Sequence, residues 1–267
     1  MTLAGALNTR HLWPMSTPAD KEGDPAGERS GEPSPQAASR LPFAEFVALV
    51  ALMMGITAYS VDNLLPAFDF IRASFQVRDP NSLQLLVYGY MVAFAITQLI
   101  YGPISDMVGR RAVLLAGMAI YIAGCVLAIF APSFEILMLS RVIQGIGSAA
   151  ARVLAVAIVR DRFSGREMAR VMSLTLVVFL IVPIFAPAIG SLLLLFGPWQ
   201  WIFGSMLVLA LILALWFGVR MPETLHPEYR FPFSMRRIGS AIALTVTTRV
   251  SFGYATAVGL MLGCVMA

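Results

Sequence analysis

Three charged side chains interrupt apolar stretches of this chain: Asp62, Arg141 and Arg152. A charge inside hydrocarbon costs at least ~2.5 kcal/mol, so each must face a partner or a water-filled cavity. Asp62 is a carboxylate that could take up and release a proton during a cycle; the blander reading is a buried structural ion pair. Arg141 lies one to two turns inside its segment, with Gln144 one turn further on. The pair reads either as part of a proton or substrate site with Asp62, or as the organiser of a polar network. Arg152 is nearer the end of its segment, where an arginine can snorkel to the interface. A second concentration of chemistry is the stretch GPISDMVGRR, in which Gly102 and Gly109 bracket the charges Asp106, Arg110 and Arg111. A third is VPIFAPAIG, with Pro183, Pro187 and Gly190. Two prolines one turn apart remove backbone donors and bend a helix, which makes either a passive kink or a hinge lining a cavity.

Other chemistries lack their residues. His11 and His226 are far apart and outside the apolar stretches, and Cys125 and Cys264 lie in separate ones, so the spacing of a metal site is missing. Both cysteines read as small apolar packing residues. Lys21 is the single lysine, so no apolar segment offers an anchor for a Schiff-base cofactor. No phosphate loop precedes a helix. Gly145 and Gly147 lie inside an apolar helix without a strand before them, and read as small residues that let two backbones approach. Glu45 and Glu135 fall in the first turns of their segments, where a carboxylate complements the helix dipole. No nucleophile–base pair argues for an enzyme, and nothing argues for nucleic acid.

The elements that position these residues follow from composition. The chain is 58% hydrophobic and 13% charged, against about 25% charged for a soluble domain. One aqueous core cannot hide that much apolar surface, so the natural solvent is a lipid bilayer. Residues 1–41 differ, with prolines alternating among Gly, Ser, Glu and Asp; they predict a disordered tail and carry no secretory signal. A membrane helix needs about 20 mainly apolar residues. Six such spans are predicted: Phe43–Pro66, Leu83–Tyr101, Ala112–Ala131, Phe134–Val159, Val171–Phe196 and Trp199–Val219. A basic loop over 220–249 leads to a seventh, Val250–Ala267, which reaches the last residue. The fold class is therefore all-α and polytopic: a six-helix bundle over 42–219 plus a seventh, incomplete or only just complete helix over 250–267.

Arginine sets the orientation. The loops after the second, fourth and sixth spans hold eleven arginines, those after the first, third and fifth only Arg72 and Arg78. The positive-inside rule places the former loops and the N-terminus in the cytoplasm. Trp199 and Trp201 at one end of the sixth span, and Trp216 near the other, suit interfacial aromatic belts.

These motifs together resemble the major facilitator superfamily. GPISDMVGRR is similar to its signature loop between helices 2 and 3, G-x-x-x-D-R/K-x-G-R-R/K: Gly102, Asp106, Gly109, Arg110 and Arg111 match, and Met107 stands where a basic residue is usual. RVIQGIG, from Arg141 to Gly147, resembles the helix 4 motif of proton-coupled exporters, and Pro183 to Gly190 the helix 5 antiporter motif. SVDNLLPAF, AIVRDRFSGREMARVMSL, WQWIF and PETL are similar to the Bcr/CflA-type drug efflux branch. The likeness covers roughly residues 43–267.

The resemblance implies a twelve-helix carrier of two six-helix halves that rock about a substrate bound between them, here its N-terminal half and the first helix of the next. It implies proton-coupled efflux of small amphiphilic molecules across the inner membrane, with no cofactor beyond the proton gradient and with the missing C-terminal half as partner. It implies that Asp106, Arg110 and Arg111 form ionic latches of the inner gate, and that Arg141 serves proton coupling. A carrier of a sugar or metabolite, and a complete seven-helix membrane sensor or scaffold, are the competing readings.

Overall fold

The computed structural model describes residues 41–224 together with positions 247–248, 253–254 and 256–257. The predicted tail, most of the basic loop and nearly all of the seventh span lie outside the described residues. Among the described residues seven α-helices are delimited: α1 Phe43–Asp62, α2 Phe68–Phe75, α3 Gln84–Val108, α4 Arg110–Ile129, α5 Phe134–Arg162, α6 Gly165–Phe196 and α7 Gln200–Arg220. All but the short α2 are long and apolar enough to cross a membrane. No strand occurs among the described residues, as expected where lipid cannot satisfy backbone groups.

The predicted ends need correction at several places. The second span does not stop at Tyr101: α3 runs through Pro103 to Val108, so most of GPISDMVGRR is helix and not a turn. Pro103 removes one backbone donor, the one that would serve the Leu99 carbonyl a turn earlier, and just beyond it the Ser105 hydroxyl bonds the Gly102 carbonyl at 2.8 Å. The break is confined to Gly109, whose φ of +115° and ψ of 152° lie in a region almost reserved for glycine. α6 begins at Gly165, not at Val171, and continues through both prolines for 32 residues. α1 stops at Asp62, and the connection to α3 contains α2 and two 3-10 turns. Polar caps mark other starts: the Ser133 hydroxyl accepts from the Ile136 N–H at 3.4 Å, and the Asp79 carboxylate from the Asn81 N–H at 2.9 Å.

Packing interlocks two groups of three spanning helices. α5 packs chiefly against α3 and α4, whereas α1 packs chiefly against α6, then against α5 and α7. Each first helix thus lies on the second and third helices of the other group, and α1 meets α5 at the centre. Burial follows: 61% of the apolar windows of α1 and α5 is covered, against 17% for α3 and 11% for α6. Close approach at the α4–α5 crossing uses Gly117 and Gly147. A β-carbon on Gly147 would lie 2.6 Å from the Gly117 carbonyl oxygen.

Two expectations about end residues change. Trp199 is no belt residue: it is 5% exposed, its indole N–H donates to the Ser74 hydroxyl at 3.0 Å, and its ring meets Phe75 and Phe203. Glu45 is more than a dipole partner. Its carboxylate accepts two 2.7 Å hydrogen bonds from Arg220 and one of 3.1 Å from the Trp216 indole, which ties α1 to α7.

Candidate functional site

At the centre of the bundle Arg141 is fully buried, yet no carboxylate meets it among the described residues. Its guanidinium instead donates to the Ser60 carbonyl of α1 at 2.9 Å, the Leu86 carbonyl of α3 at 3.2 Å and the Gln144 side-chain oxygen at 2.5 Å. It also stacks over the Tyr90 ring, 4.6 Å from the centroid. Ser60 lies in the last turn of α1, where carbonyls lack intrahelical donors and a cation complements the dipole. Arg141 therefore acts as a cap supplied by another helix.

A hydroxyl network surrounds it. The Ser60 hydroxyl donates to the Ile56 carbonyl at 2.6 Å and meets the Tyr121 hydroxyl at 2.5 Å, and the Tyr90 hydroxyl donates to Ser148 at 2.7 Å. Ser60, Tyr90, Tyr121 and Ser148 were not singled out from sequence. Their signal was a polar tip in an apolar helix, which single helices display in number and only packing sorts.

Asp62 is the last residue of α1 and half-buried. It forms no hydrogen bond or ion pair among the described residues, so Arg141 and Gln144 are brought together but Asp62 is not joined to them. The neighbouring Asn63 amide donates to the Ser205 hydroxyl of α7 at 3.1 Å, and Tyr59 reaches the same hydroxyl at 2.9 Å.

Beside this end of α1, Gly190 of α6 is a packing residue. A β-carbon there would lie 2.5 Å from the Asn63 carbonyl oxygen. Gly190→Ala should force α6 away from α1 and cost about 1–3 kcal/mol, read as a lower unfolding midpoint in detergent; an unchanged midpoint would contradict the tight approach. The rest of the proline stretch lines a cavity of about 680 Å³ between α1, α6 and α7 through Val182, Phe185, Ala186 and Ile189. Pro183 and Pro187 are half-buried and are not part of that lining.

The second site is at the arginine-rich end. Arg110 is 8% exposed. It pairs with Asp106 at 2.6 Å and with Asp161 of α5 at 3.0 Å, and donates to the Ser105 hydroxyl. Arg111 does not join these acids; its guanidinium donates to the Gly218 carbonyl of α7 at 2.5 Å. Glu223, just past α7, caps α4: its carboxylate accepts from the Arg110 N–H at 2.8 Å and the Arg111 N–H at 3.2 Å. A helix N-terminus offers unpaired N–H groups and a positive dipole end, which suit a carboxylate. Gly109 is required twice over, because a β-carbon there would also lie 2.5 Å from a Glu223 oxygen. At Gly102 a β-carbon would meet nothing. Asp106 keeps a side chain 47% exposed, whereas Arg110 is buried and Arg111, although exposed, is engaged by the Gly218 carbonyl of α7.

The cluster thus binds α3, α4, α5 and the segment after α7 into one unit. Asp161 and Glu223 were missed as site residues. Asp161 stood in a run of arginines that reads as a solvated face, and Glu223 stands 113 positions from Arg110.

The sequence pattern of the Major Facilitator Superfamily matches residues 48–267. The chain is similar to an uncharacterized MFS-type transporter, YdgK, of Bacillus subtilis, at 32% identity over 86% of this chain and 57% of that protein. It is 36% identical to the multidrug resistance protein MdtL of Citrobacter koseri over 66% of this chain and 44% of that one. Among solved structures, the peptide transporter POT in complex with alafosfalin shares the fold, with a TM-score of 0.61 at 15% identity over 82% of this chain and 48% of that one. The chain spans about half the length of the relatives it matches.

Proposed function

This chain belongs to the Major Facilitator Superfamily of transporters, and on that premise we propose that it forms one wall of a proton-coupled exporter of small amphiphilic molecules. It is a multi-pass membrane protein. The motif likeness to drug exporters agrees with the multidrug resistance proteins among its relatives. The eleven-to-two division of arginines supports a cytoplasmic position for the Arg110 end and the N-terminus, in a cell inner membrane. The uncovered apolar faces of α3 and α6 support an opposing six-helix half, with cargo bound between the two and alternating access by rocking.

The observation that carries the proton coupling is the state of α1 at its end. Asp62 is half-buried and unpaired among the described residues, two positions from the carbonyl that Arg141 caps. Gaining a proton there removes a negative charge from a helix C-terminus, where it is unfavourable. The two protonation states therefore favour different arrangements of α1, which is the differential free energy a coupled carrier needs. At the other site Arg110 and Arg111 hold this half together, and Asp106 is the group left to reach across. The expected latch is thus one carboxylate on a rigid mount, and Met107 in place of a basic residue leaves that mount one positive charge weaker.

The test is transport in sealed vesicles under an imposed proton gradient, with a panel of amphiphilic compounds. Asp62→Asn should abolish gradient-driven movement while leaving compound binding within about twofold. Gradient-driven transport that survives this exchange removes Asp62 from the coupling role.

A further inference from the structure

A cavity of about 340 Å³ opens between α3 and α5 at the arginine-rich end. Its lining holds Arg110, Arg152 and Arg160 against two carboxylates, Asp106 and Asp161. Both carboxylates are already engaged by Arg110, at 2.6 and 3.0 Å. Arg152 and Arg160 have no carboxylate within ion-pair reach among the described residues, so the cavity carries an uncompensated positive charge.

Arg152 is half-buried and held against a neighbouring helix. Its guanidinium lies over the Phe179 ring of α6, 4.8 Å from the centroid. Its Nη1 is shielded from solvent without a hydrogen-bond partner among the described residues. Arg152 follows Arg141 by roughly three turns on the same side of α5. The two are opposites: the donors of Arg141 are engaged across three helices, whereas those of Arg152 are left over. A guanidinium held flat by an aromatic ring keeps its fork oriented and matches a planar carboxylate. Gln98 adds an amide from the facing helix, and Val153, Val156 and Ala157 supply an apolar wall for a tail.

We propose that this cavity is a binding subsite for the carboxylate head of an amphiphilic anion, with Arg152 as its ligand. The exporter reading leaves the charge of the cargo open; this inference rests on that reading and assigns an anion. Arg160 at the rim draws the head in, and Arg110 offsets part of the negative charge of Asp106 and Asp161.

The test is equilibrium binding to the full chain in nanodiscs of zwitterionic lipid, without a proton gradient. Dansylaminoundecanoate is the probe and its neutral methyl ester the control. The acid should bind about tenfold more tightly than the ester, as a charge-assisted pair predicts. Arg152→Gln should erase that preference and leave ester binding unchanged; Arg152→Lys, which keeps charge and loses the fork, should retain part of it. Equal binding of acid and ester to the parent chain overturns the proposal, as does a preference that survives Arg152→Gln. If the Gln variant does not fold, the acid–ester comparison on the parent chain and the Lys variant still decides. A preference that vanishes when phosphatidylglycerol is added to the disc assigns the cavity to lipid headgroups and overturns the cargo assignment. Because no gradient enters, a failure here differs from a failure of proton coupling, which only the vesicle experiment reads.

Discussion

Arg141→Leu should lower stability by about 3 kcal/mol, the largest loss expected from a single side chain in this bundle. The substitution removes three charged hydrogen bonds that join α1, α3 and α5. It leaves the Ser60 carbonyl buried at a helix end without its donor, and the Gln144 oxygen likewise. In a domain of this size that loss corresponds to a fall of roughly 6–12 °C in the unfolding midpoint, measured in detergent by thermal size-exclusion. Arg141→Lys keeps the charge but reaches fewer acceptors, and should recover about half. Tyr90→Phe retains the ring beneath the guanidinium and loses only the bond to Ser148, about 1 kcal/mol. A midpoint that is unchanged in Arg141→Leu would show that the buried guanidinium does not hold the three helices together. In vesicles the same variant should lose gradient-driven transport, because Asp62 would then act on an end of α1 that nothing holds.

The second large effect is expected at Gly109. Gly109→Ala places a side chain at φ +115° and ψ 152°, a region that costs of order 1–3 kcal/mol for a residue other than glycine. It also drives a methyl into the Glu223 carboxylate and displaces the cap of α4. The sum is about 3 kcal/mol. Glu223→Gln alone keeps the shape and weakens the cap, and should cost about 1 kcal/mol. The two terms separate in a double-mutant cycle. Gly109→Ala in a Glu223→Ala background should lose less than the two single changes added together, because the clash is gone while the backbone strain remains. Strict additivity would show that Glu223 does not occupy the α4 terminus. A parallel readout is limited proteolysis after Arg220, which should accelerate in both Glu223 variants.

The six spans were legible because apolar runs of this length allow one structure in lipid, and length and hydropathy are properties of a string. Arg141 was legible as a residue of consequence for the same reason: a charge in such a run is costly, so it must be doing something. The family followed from glycine, acid and arginine at fixed intervals in GPISDMVGRR, since helix phase is set by spacing. Sequence failed where one local rule met a stronger constraint. Gly102-Pro103 reads as a stop, yet α3 continues to Val108 because one lost donor costs less than the several backbone groups that ending the helix there would leave unpaired. Trp199 reads as an interfacial residue, yet it is enclosed by Phe75 and Phe203.

Partnership belonged to the tertiary structure alone. Composition required Arg141 to have a partner, but only packing of α1 and α3 onto α5 made it a ring of carbonyls and an amide in place of an acid. Arg110 and Glu223 are 113 positions apart and meet because α7 returns to the start of α4. Arg141 and Arg152 look alike in sequence, two arginines on one side of one helix. Their difference, one with each guanidinium nitrogen bonded and one with a nitrogen left without a partner among the described residues, is a property of which helices happen to face them. Spacing along a chain fixes what shares a helix face; which groups meet across helices depends on crossing and burial, and those are decided when the bundle closes.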